Sequence, residues 1–212
     1  GSFIGPTHRV AARLDDRFEL VAAALSSDPE RSLQAGGGLG IDPNRSYSSG
    51  SALLEGEAAR VDGADVVAVM TPNDSHHSLA LAALDHGFDL IIDKPLANTL
   101  EHALEVADRA KSTGLVCCLT HNYTGYPMVR QAQAMVADGQ LGDVRLVQVE
   151  YVQGGKARPA EFGSEEELPW RSDPIRGGPS LVMGDIGTHA HNLVRFITGI
   201  EIDEVAAEVG TI

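Results

Sequence analysis

The chain has 212 residues, with 16 lysines and arginines against 30 aspartates and glutamates, so its formal net charge at pH 7 is −14. This acidity excludes the basic face with which a nucleic-acid-binding protein displaces counterions. It leaves room for an anionic cofactor, because backbone N–H groups at a helix N-terminus bind phosphates without basic side chains. From the acidity we expect no nucleic-acid partner. No apolar run is long enough to span a bilayer, so we also expect no membrane partner.

The first half of the chain alternates strand-like and helix-like segments. Predicted strands cover 18–25, 64–70, 88–92 and 115–120. One predicted helix ends with residues 10–14, and three others cover 51–61, 75–86 and 100–112. Strands separated by helices form βαβ units with a parallel sheet and right-handed connections. The pattern therefore predicts an α/β fold, a Rossmann-type doubly wound parallel sheet, over residues 1–120.

The pattern changes after residue 120. It predicts a helix at 128–138, an alternating antiparallel strand at 144–152, a helix at 187–198 and the start of a strand at 204–212. The segment 153–180 is rich in glycine, proline and charge, and we interpret its acidic run as a solvated loop. These elements predict a second, α+β domain at 121–212.

The two cysteines of the chain, Cys117 and Cys118, are adjacent within an apolar run. This pattern is typical of small core residues in a strand and not of a disulfide framework. A reducing compartment suits such a chain, so we expect a cytoplasmic protein.

In the run from Leu90 to Leu96, three apolar residues are followed directly by Asp93-Lys94-Pro95. A buried strand that stops there delivers an ammonium group to the carboxyl edge of the sheet, where open α/β folds bind ligands. The proline prevents continuation of the strand and stiffens the turn. The alternative interpretation is an ordinary strand end with a solvated lysine.

Gly1 and Gly5 fit the end of a glycine-rich fingerprint, in which glycines let a dinucleotide pyrophosphate approach the backbone at a helix N-terminus. A simple turn is the alternative. About twenty residues later an acid usually binds the ribose 2′-hydroxyl of NAD. Here the strand ends in Ser26 and Ser27, with Arg31 beyond them. These residues leave room for a 2′-phosphate, so NAD and NADP both stay open.

The segment Thr71-Pro72-Asn73, followed by His76, lies where a predicted strand meets its helix. Short polar side chains at such a place can bond a ribose or a nicotinamide amide. Turn formation and helix capping need the same residue types and are the alternative. His76 and His77 offer no chelating pair for a metal, because adjacent side chains point apart on a helix.

Asp185 and His189 are four residues apart in a predicted helix and would share one face, with Asn192 beside them. An imidazole beside a carboxylate is suited to taking a proton from a substrate hydroxyl. A helix-capping aspartate and a structural histidine are the alternative interpretation.

Together these motifs resemble the glucose–fructose oxidoreductase / inositol dehydrogenase / MocA family of NAD(P)-dependent oxidoreductases along nearly the whole chain. The matching stretches are 1–5, 27–31, Thr71-Pro72-Asn73 with His76, Asp93-Lys94-Pro95, Asn122-Tyr123, 139–144, Trp170-Arg171 and 184–189. The resemblance implies a Rossmann domain followed by an α+β domain with an open, mostly antiparallel sheet. It also implies a homo-oligomer, dimer or tetramer, assembled through that sheet.

The resemblance further implies roles for single residues. Lys94 would approach the nicotinamide and the substrate, with Asp93 replacing the family's glutamate and with a cis Lys94–Pro95 peptide. Asp185 and His189 would hold the substrate hydroxyl and accept its proton. The residues expected around the substrate are Asn122, Tyr123, Trp170 and Arg171. The chain departs from the family at the front of the glycine fingerprint, which is absent.

These roles predict an oxidoreductase that moves hydride between nicotinamide and a carbinol carbon of a sugar, cyclitol or related polyol, with NAD or NADP as cofactor. His189 would be the general base, supported by Asp185, and Lys94 would stabilise charge on the substrate oxygen. A non-catalytic NAD(P)-binding sensor or assembly protein is the main alternative. A metal hydrolase is a weaker one, and its ligands would be His76, His121, Asp185 and His189.

Both ends of the sequence look incomplete. Gly1 and Ser2 lead into a helix with no strand before it, although a doubly wound sheet needs a central first strand. The last residues lie inside a predicted strand. A cloning remnant would explain Gly1-Ser2 in a simpler way. We expect a fragment with its first strand missing.

We therefore predict that residues 1–212 do not fold stably by themselves, because an incomplete sheet leaves backbone N–H and C=O groups without partners. Far-ultraviolet circular dichroism during heating should show a gradual change without a sigmoidal step. A cooperative melting transition of this chain alone would contradict the prediction.

Overall fold

The structure is a computed structural model that describes residues 3–152, 170, 173–180, 182–208 and 210. The chain divides into two compact units. The first unit comprises Gly1–Thr120 and Leu168–Gly184, and the second unit comprises His121–Glu167 and Asp185–Ile212.

A parallel sheet forms the centre of the first unit. Its strands are β1 (Val66–Val69), β2 (Asp89–Asp93) and β3 (Cys117–Thr120), in the order β1-β2-β3. The helices of this unit are α1 (Gly5–Arg13), α2 (Pro29–Gly38), α3 (Gly50–Ala58), α4 (His76–Asp85) and α5 (Leu100–Thr113). Both strand pairs are parallel, so the carboxyl ends of all three strands lie on one edge of the sheet. The predicted α/β fold is confirmed.

The core of the first unit is built on β2. Leu90 and Ile92 are buried at 1% and 0% exposure and belong to one apolar cluster with Leu84 of α4 and Val106 of α5. Each such side chain contributes about 1.5–3 kcal/mol when it is fully removed from water. Leu90 and Ile92 lie on one face of β2, and Ile91 on the other face is half-buried.

Local end signals define α5 as the sequence predicts. The Thr99 hydroxyl accepts a hydrogen bond from the backbone N–H of His102, and Gly114 ends the helix with a left-handed φ of 71°. A side chain at Gly114 would be strained in that conformation. Start and stop signals of this kind act within one turn and need no tertiary partner.

One predicted strand is wrong and one helix was missed between residues 18 and 38. The segment 18–25 forms one isolated bridge, between Ala23 and Ser46, and not the predicted strand of the main sheet. An apolar run becomes a strand only where a neighbouring strand accepts its backbone bonds. Residues beyond it form α2, which was not predicted, although Asp28 followed by Pro29 is a strong helix-start signal.

The second unit contains α6 (Pro127–Ala137) and α7 (Thr188–Thr198), which pack against each other. The Gln133 side-chain amide donates to the Phe196 carbonyl at 2.9 Å. A π-helical turn, Met183–Gly187, leads directly into α7. Among the described residues no helix has the length and apolar character needed to cross a membrane.

The strand predicted at 144–152 is wrong for the part of the chain that the structure describes. These residues form no strand pairing there, and Leu146 and Val152 are 85% and 90% exposed. The same holds for 204–208. Alternation of apolar residues indicates that one face of an extended segment is apolar. A strand also needs a neighbouring strand that pairs with its backbone N–H and C=O groups.

A buried carboxylate ties α3 to the preceding loop. The Glu57 side chain has 0% exposure and accepts bonds from Arg45 Nε at 3.1 Å, the Tyr47 hydroxyl at 2.9 Å and the Ala64 N–H at 3.0 Å. Burial by itself raises the pKa of Glu57, but the bonds from Arg45 and Tyr47 outweigh burial and lower that pKa below its usual range.

We predict that Glu57→Ala lowers the free energy of unfolding by about 3–5 kcal/mol, because it removes the buried carboxylate that pairs with the largely buried Arg45 guanidinium. Urea unfolding of the whole protein measures the change. Asp15→Ala is the control, since Asp15 is 62% exposed and pairs with Arg17 at the surface; its midpoint should stay near the wild-type value. Equal losses in both variants would contradict the prediction.

Candidate active site

The turn that bears Lys94 follows β2 immediately, at the carboxyl edge of the sheet. Lys94 and Pro95 are half-buried, and the peptide between them is cis. The cis peptide that the resemblance implies is therefore confirmed. The fold delivers the ammonium-bearing residue to the edge at which open α/β sheets bind ligands.

The Asp93 carboxylate is held by residues from two other elements. It accepts a hydrogen bond from the Thr120 hydroxyl at 2.6 Å and lies 3.3 Å from His8 Nε2. Burial raises the pKa of Asp93, but the bonds to His8 and Thr120 outweigh it and lower that pKa below its usual range. Asp93 is therefore ionised at neutral pH.

His8 is a site residue that the sequence analysis missed. It lies in α1, three residues after Gly5, so its contact with Asp93 brings the first turn of α1 next to the carboxyl end of β2. The available signal was a polar side chain in the first turn of a helix that already appeared to be a nucleotide-binding candidate.

His76, which the sequence analysis expected at the cofactor, is buried within the first unit. Its side chain is 1% exposed, with Nδ1 at 2.7 Å from the Pro95 carbonyl oxygen and Nε2 at 2.9 Å from the Thr71 carbonyl oxygen. Both ring nitrogens thus engage the backbone of this unit. The physical reason is its position as the first residue of α4, beneath the loops that follow β1 and β2.

Asn73 is also buried and makes a hydrogen bond within the first unit. It is 5% exposed, and its side-chain amide donates to the Gly177 carbonyl at 2.9 Å. Thr71 is exposed at the end of the loop after β1, where its hydroxyl accepts from Ser75 Oγ at 2.7 Å, and Pro72 is half-buried beside it. Of the three predicted residues, Thr71 is the one that faces solvent at the sheet edge.

A distant segment, Asp173–Ser180, docks on this edge. Its carbonyl groups accept bonds from the Asn98 side chain, at Ile175, and from the Asp74 N–H, at Arg176. Gly178 has a φ of +94°, and a Cβ there would lie 3.2 Å from the Asn98 carbonyl oxygen. The sequence analysis gave this segment no role, because backbone carbonyl acceptors leave no trace in the sequence. The acidic run that it interpreted as a solvated loop, 165–167, lies outside the described residues.

The candidate nucleotide-binding residues lie at the start of two helices. Gly5 is buried and begins α1. Asp28 caps α2 by accepting from the Arg31 N–H at 2.9 Å, and Ser26 accepts from the Asp28 N–H at 3.1 Å. Ser27 and Arg31 are exposed. Gly1 lies outside the described residues.

In the second unit His189 lies in an aromatic cluster with Tyr123 and His121. The His189 ring is 4.7 Å from the ring of Tyr123 and 5.6 Å from that of His121, centroid to centroid, in edge-on contacts. His189 is 8% exposed. The Tyr123 hydroxyl lies 2.6 Å from the Tyr151 hydroxyl. Edge-on packing fixes the orientation of an imidazole ring.

The Tyr123 phenol stays protonated over the whole working range of pH. Its hydrogen bond with Tyr151, its burial and the nearby charge of Asp185 raise the pKa of Tyr123 to about 12. Asp185 itself lies in the π-helical turn, whereas His189 lies in the first turn of α7. The helix therefore changes its period between these residues, and their common face stays a prediction.

The remaining predicted substrate residues are in different situations. Asn122 is exposed in a 3₁₀ turn, Asn122–Gly125. Trp170 is half-buried, and its carbonyl accepts from the Asp173 N–H at 3.4 Å. Arg171 lies outside the described residues. Within the described ranges no group of three His, Cys, Asp or Glu side chains is arranged to bind a metal ion, so the hydrolase alternative has no ligand set there.

Comparison with known proteins shows the family. Residues 1–121 match the oxidoreductase family with an NAD-binding Rossmann fold, and residues 129–212 match the GFO/IDH/MocA C-terminal domain. The chain belongs to this family, the glucose–fructose oxidoreductase / inositol dehydrogenase / MocA oxidoreductases.

Individual relatives agree with this membership. The oxidoreductase YfiI of Bacillus subtilis is 35% identical over 92% of this chain and 50% of its own length, and levoglucosan dehydrogenase of Pseudarthrobacter phenanthrenivorans is 28% identical over 100% and 52%. The crystal structure of an inositol dehydrogenase homologue complexed with NAD+ from Azotobacter vinelandii is 41% identical, with a TM-score of 0.88 over 94% of this chain and 51% of that chain. The chain thus spans about half the length of these relatives.

We predict that Asp93→Asn lowers the free energy of unfolding at pH 7 by roughly 1.5–3 kcal/mol, the usual value of hydrogen bonds to a charged group. Because the folded-state pKa of Asp93 is lowered, its contribution is present above the unfolded pKa of about 3.9 and is lost as pH falls through the folded value. Urea titrations of both proteins at pH 7 and at acidic pH test this. A difference that does not shrink in acid would contradict it.

Proposed function

We propose that the whole protein is an NAD-dependent oxidoreductase that moves hydride between nicotinamide and a carbinol carbon of a sugar, cyclitol or related polyol. The observation that carries this proposal is Lys94, held on a cis turn at the carboxyl end of β2 in a domain of the NAD-binding Rossmann family. Relatives support the substrate class: one neighbouring structure is complexed with NADH and myo-inositol, and another with NADH and levoglucosan.

The residues present fit a dinucleotide. The buried Gly5 begins α1, where a side chain would obstruct the approach of a phosphate, and the contact between His8 and Asp93 brings this helix end to the carboxyl edge of the sheet. Exposed Ser27 and Arg31 would flank the adenosine ribose, and the exposed Thr71 and the half-buried Lys94 would lie toward the nicotinamide. When bound, the nicotinamide ring supplies the hydride acceptor.

The protein's own groups would manage the proton and the oxygen. In oxidation, a ring nitrogen of His189 takes the proton of the substrate hydroxyl, and Asp185 stabilises the imidazolium that results. Lys94 stabilises the negative charge that develops on the oxygen as the carbonyl forms. The edge-on contacts with Tyr123 and His121 keep the His189 ring in one orientation. In reduction the same proton returns to the oxygen.

Further features of the whole protein are part of the proposal. We assign the dinucleotide-binding domain to 1–120 and the substrate and oligomerisation domain to 121–212. Cys117 and Cys118 are free thiols, which suits the cytoplasm. Assembly as a homo-oligomer rests on the family resemblance alone.

We predict that Lys94→Met and His189→Gln each lower kcat for polyol oxidation by about 10²–10⁴-fold while the affinity for NAD changes little. The reason is that both residues act on the substrate oxygen and its proton. Steady-state absorbance of NADH across a panel of cyclitols and sugars measures turnover, and fluorescence titration of the whole protein measures NADH binding.

Matched controls use exposed residues of the same type. Lys111→Met, in the last turn of α5, and His191→Gln, on α7, should leave kcat at the wild-type value. Undiminished turnover in either Lys94→Met or His189→Gln would reject the assignment. NADH binding without turnover of any panel member in the wild-type protein would instead favour the non-catalytic binder.

A further inference from the structure

The position of Lys94 depends on the backbone that carries it. A lysine side chain is long and flexible, so the protein controls its reach chiefly through the position of its Cα atom and of the adjoining peptides. The peptide on one side is part of β2, and the peptide on the other is the cis bond to Pro95. Proline has no backbone N–H, so its carbonyl is the only backbone group of Pro95 that can make a hydrogen bond.

His76 fastens the turn at that point. Its Nδ1 lies 2.7 Å from the Pro95 carbonyl oxygen, and its Nε2 lies 2.9 Å from the Thr71 carbonyl oxygen. A carbonyl oxygen can only accept, so a ring nitrogen bonds it only when that nitrogen carries a proton. We assign the proton to Nδ1, which makes the shorter of the two contacts. The ring thereby bridges the loops that follow β1 and β2, and it is buried at 1% exposure, where water does not compete.

We infer that His76 is a positioning residue for Lys94 and acts through the hydrogen bond between its Nδ1 and the Pro95 carbonyl. This inference rests on the proposed role of Lys94. His76 touches neither substrate nor cofactor in this assignment. Loss of the bond frees the turn after Lys94, and a displacement of about 1 Å at a reacting group costs about 10²-fold in rate.

The test compares His76→Asn, His76→Gln and His76→Ala in the whole protein. The amide nitrogen of asparagine reaches the place of Nδ1 and can still donate to Pro95, whereas that of glutamine reaches the place of Nε2 and can donate to Thr71. We expect kcat to fall about 10²-fold in His76→Gln and His76→Ala and to be largely restored in His76→Asn. The dissociation constant for NADH should stay at the wild-type value in all three.

A second measurement separates positioning from general stability. In a Lys94→Met background, His76→Gln should cause no further loss of the residual turnover, because residues that act through one another are not additive. His77→Gln is the matched control. His77 is the residue next to His76 in α4, and its Nε2 lies 2.8 Å from a carboxylate oxygen of Glu105 at the surface. It should turn over at the wild-type rate. Thermal unfolding midpoints show which variants are folded, and if His76→Ala does not fold, the Asn and Gln pair decides.

The outcomes distinguish this inference from the proposed function. Wild-type turnover in Lys94→Met would remove both. An essential Lys94 combined with wild-type turnover in His76→Gln would overturn the inference alone. Equal kcat in the Asn and Gln variants, or an undiminished effect of His76→Gln in the Lys94→Met background, would also overturn it.

Discussion

The hydrogen-bonded carboxylate of Asp93 is the interaction on which the candidate active site depends. A partly buried charge is costly unless it is hydrogen-bonded, and here the partners come from β3, through Thr120, and from α1, through His8. The residue that follows is Lys94. The requirement to satisfy one carboxylate therefore brings a helix end, two strand ends and an ammonium group to the same edge of the sheet.

Strand register makes this meeting possible. Asp93 pairs with Thr120 in the parallel ladder between β2 and β3, so their side chains lie on the same face of neighbouring strands. Val69 pairs with Ile92 in the other ladder, which places the loop after β1 beside the turn after β2. A shift of one residue in either ladder would move every one of these side chains to the opposite face.

Features that depend on neighbouring residues in the sequence were predictable, and features that depend on distant partners were not. The cap at Thr99 and the left-handed Gly114 are local and gave α5 correctly. The strand prediction at 144–152 was wrong, because alternation indicates an apolar face but not a partner for the backbone hydrogen bonds. Lys94 was found as the end of a buried strand, but His8 was missed, since its importance comes from a partner 85 residues away.

The two units of the chain prepare their functional groups by different physical means. In the first unit, backbone carbonyls and one carboxylate hold the turn of Lys94 through directional hydrogen bonds at Pro95 and Asp93. In the second unit, aromatic edges surround His189 and define its ring plane, while the phenol of Tyr123 finds its hydrogen bond at Tyr151. A flexible ammonium group needs a fixed backbone, because its many rotamers do not by themselves define where its charge lies. An imidazole that exchanges a proton needs a fixed ring, because its hydrogen bonds are directional. Each kind of support therefore matches the chemistry of the group that it holds.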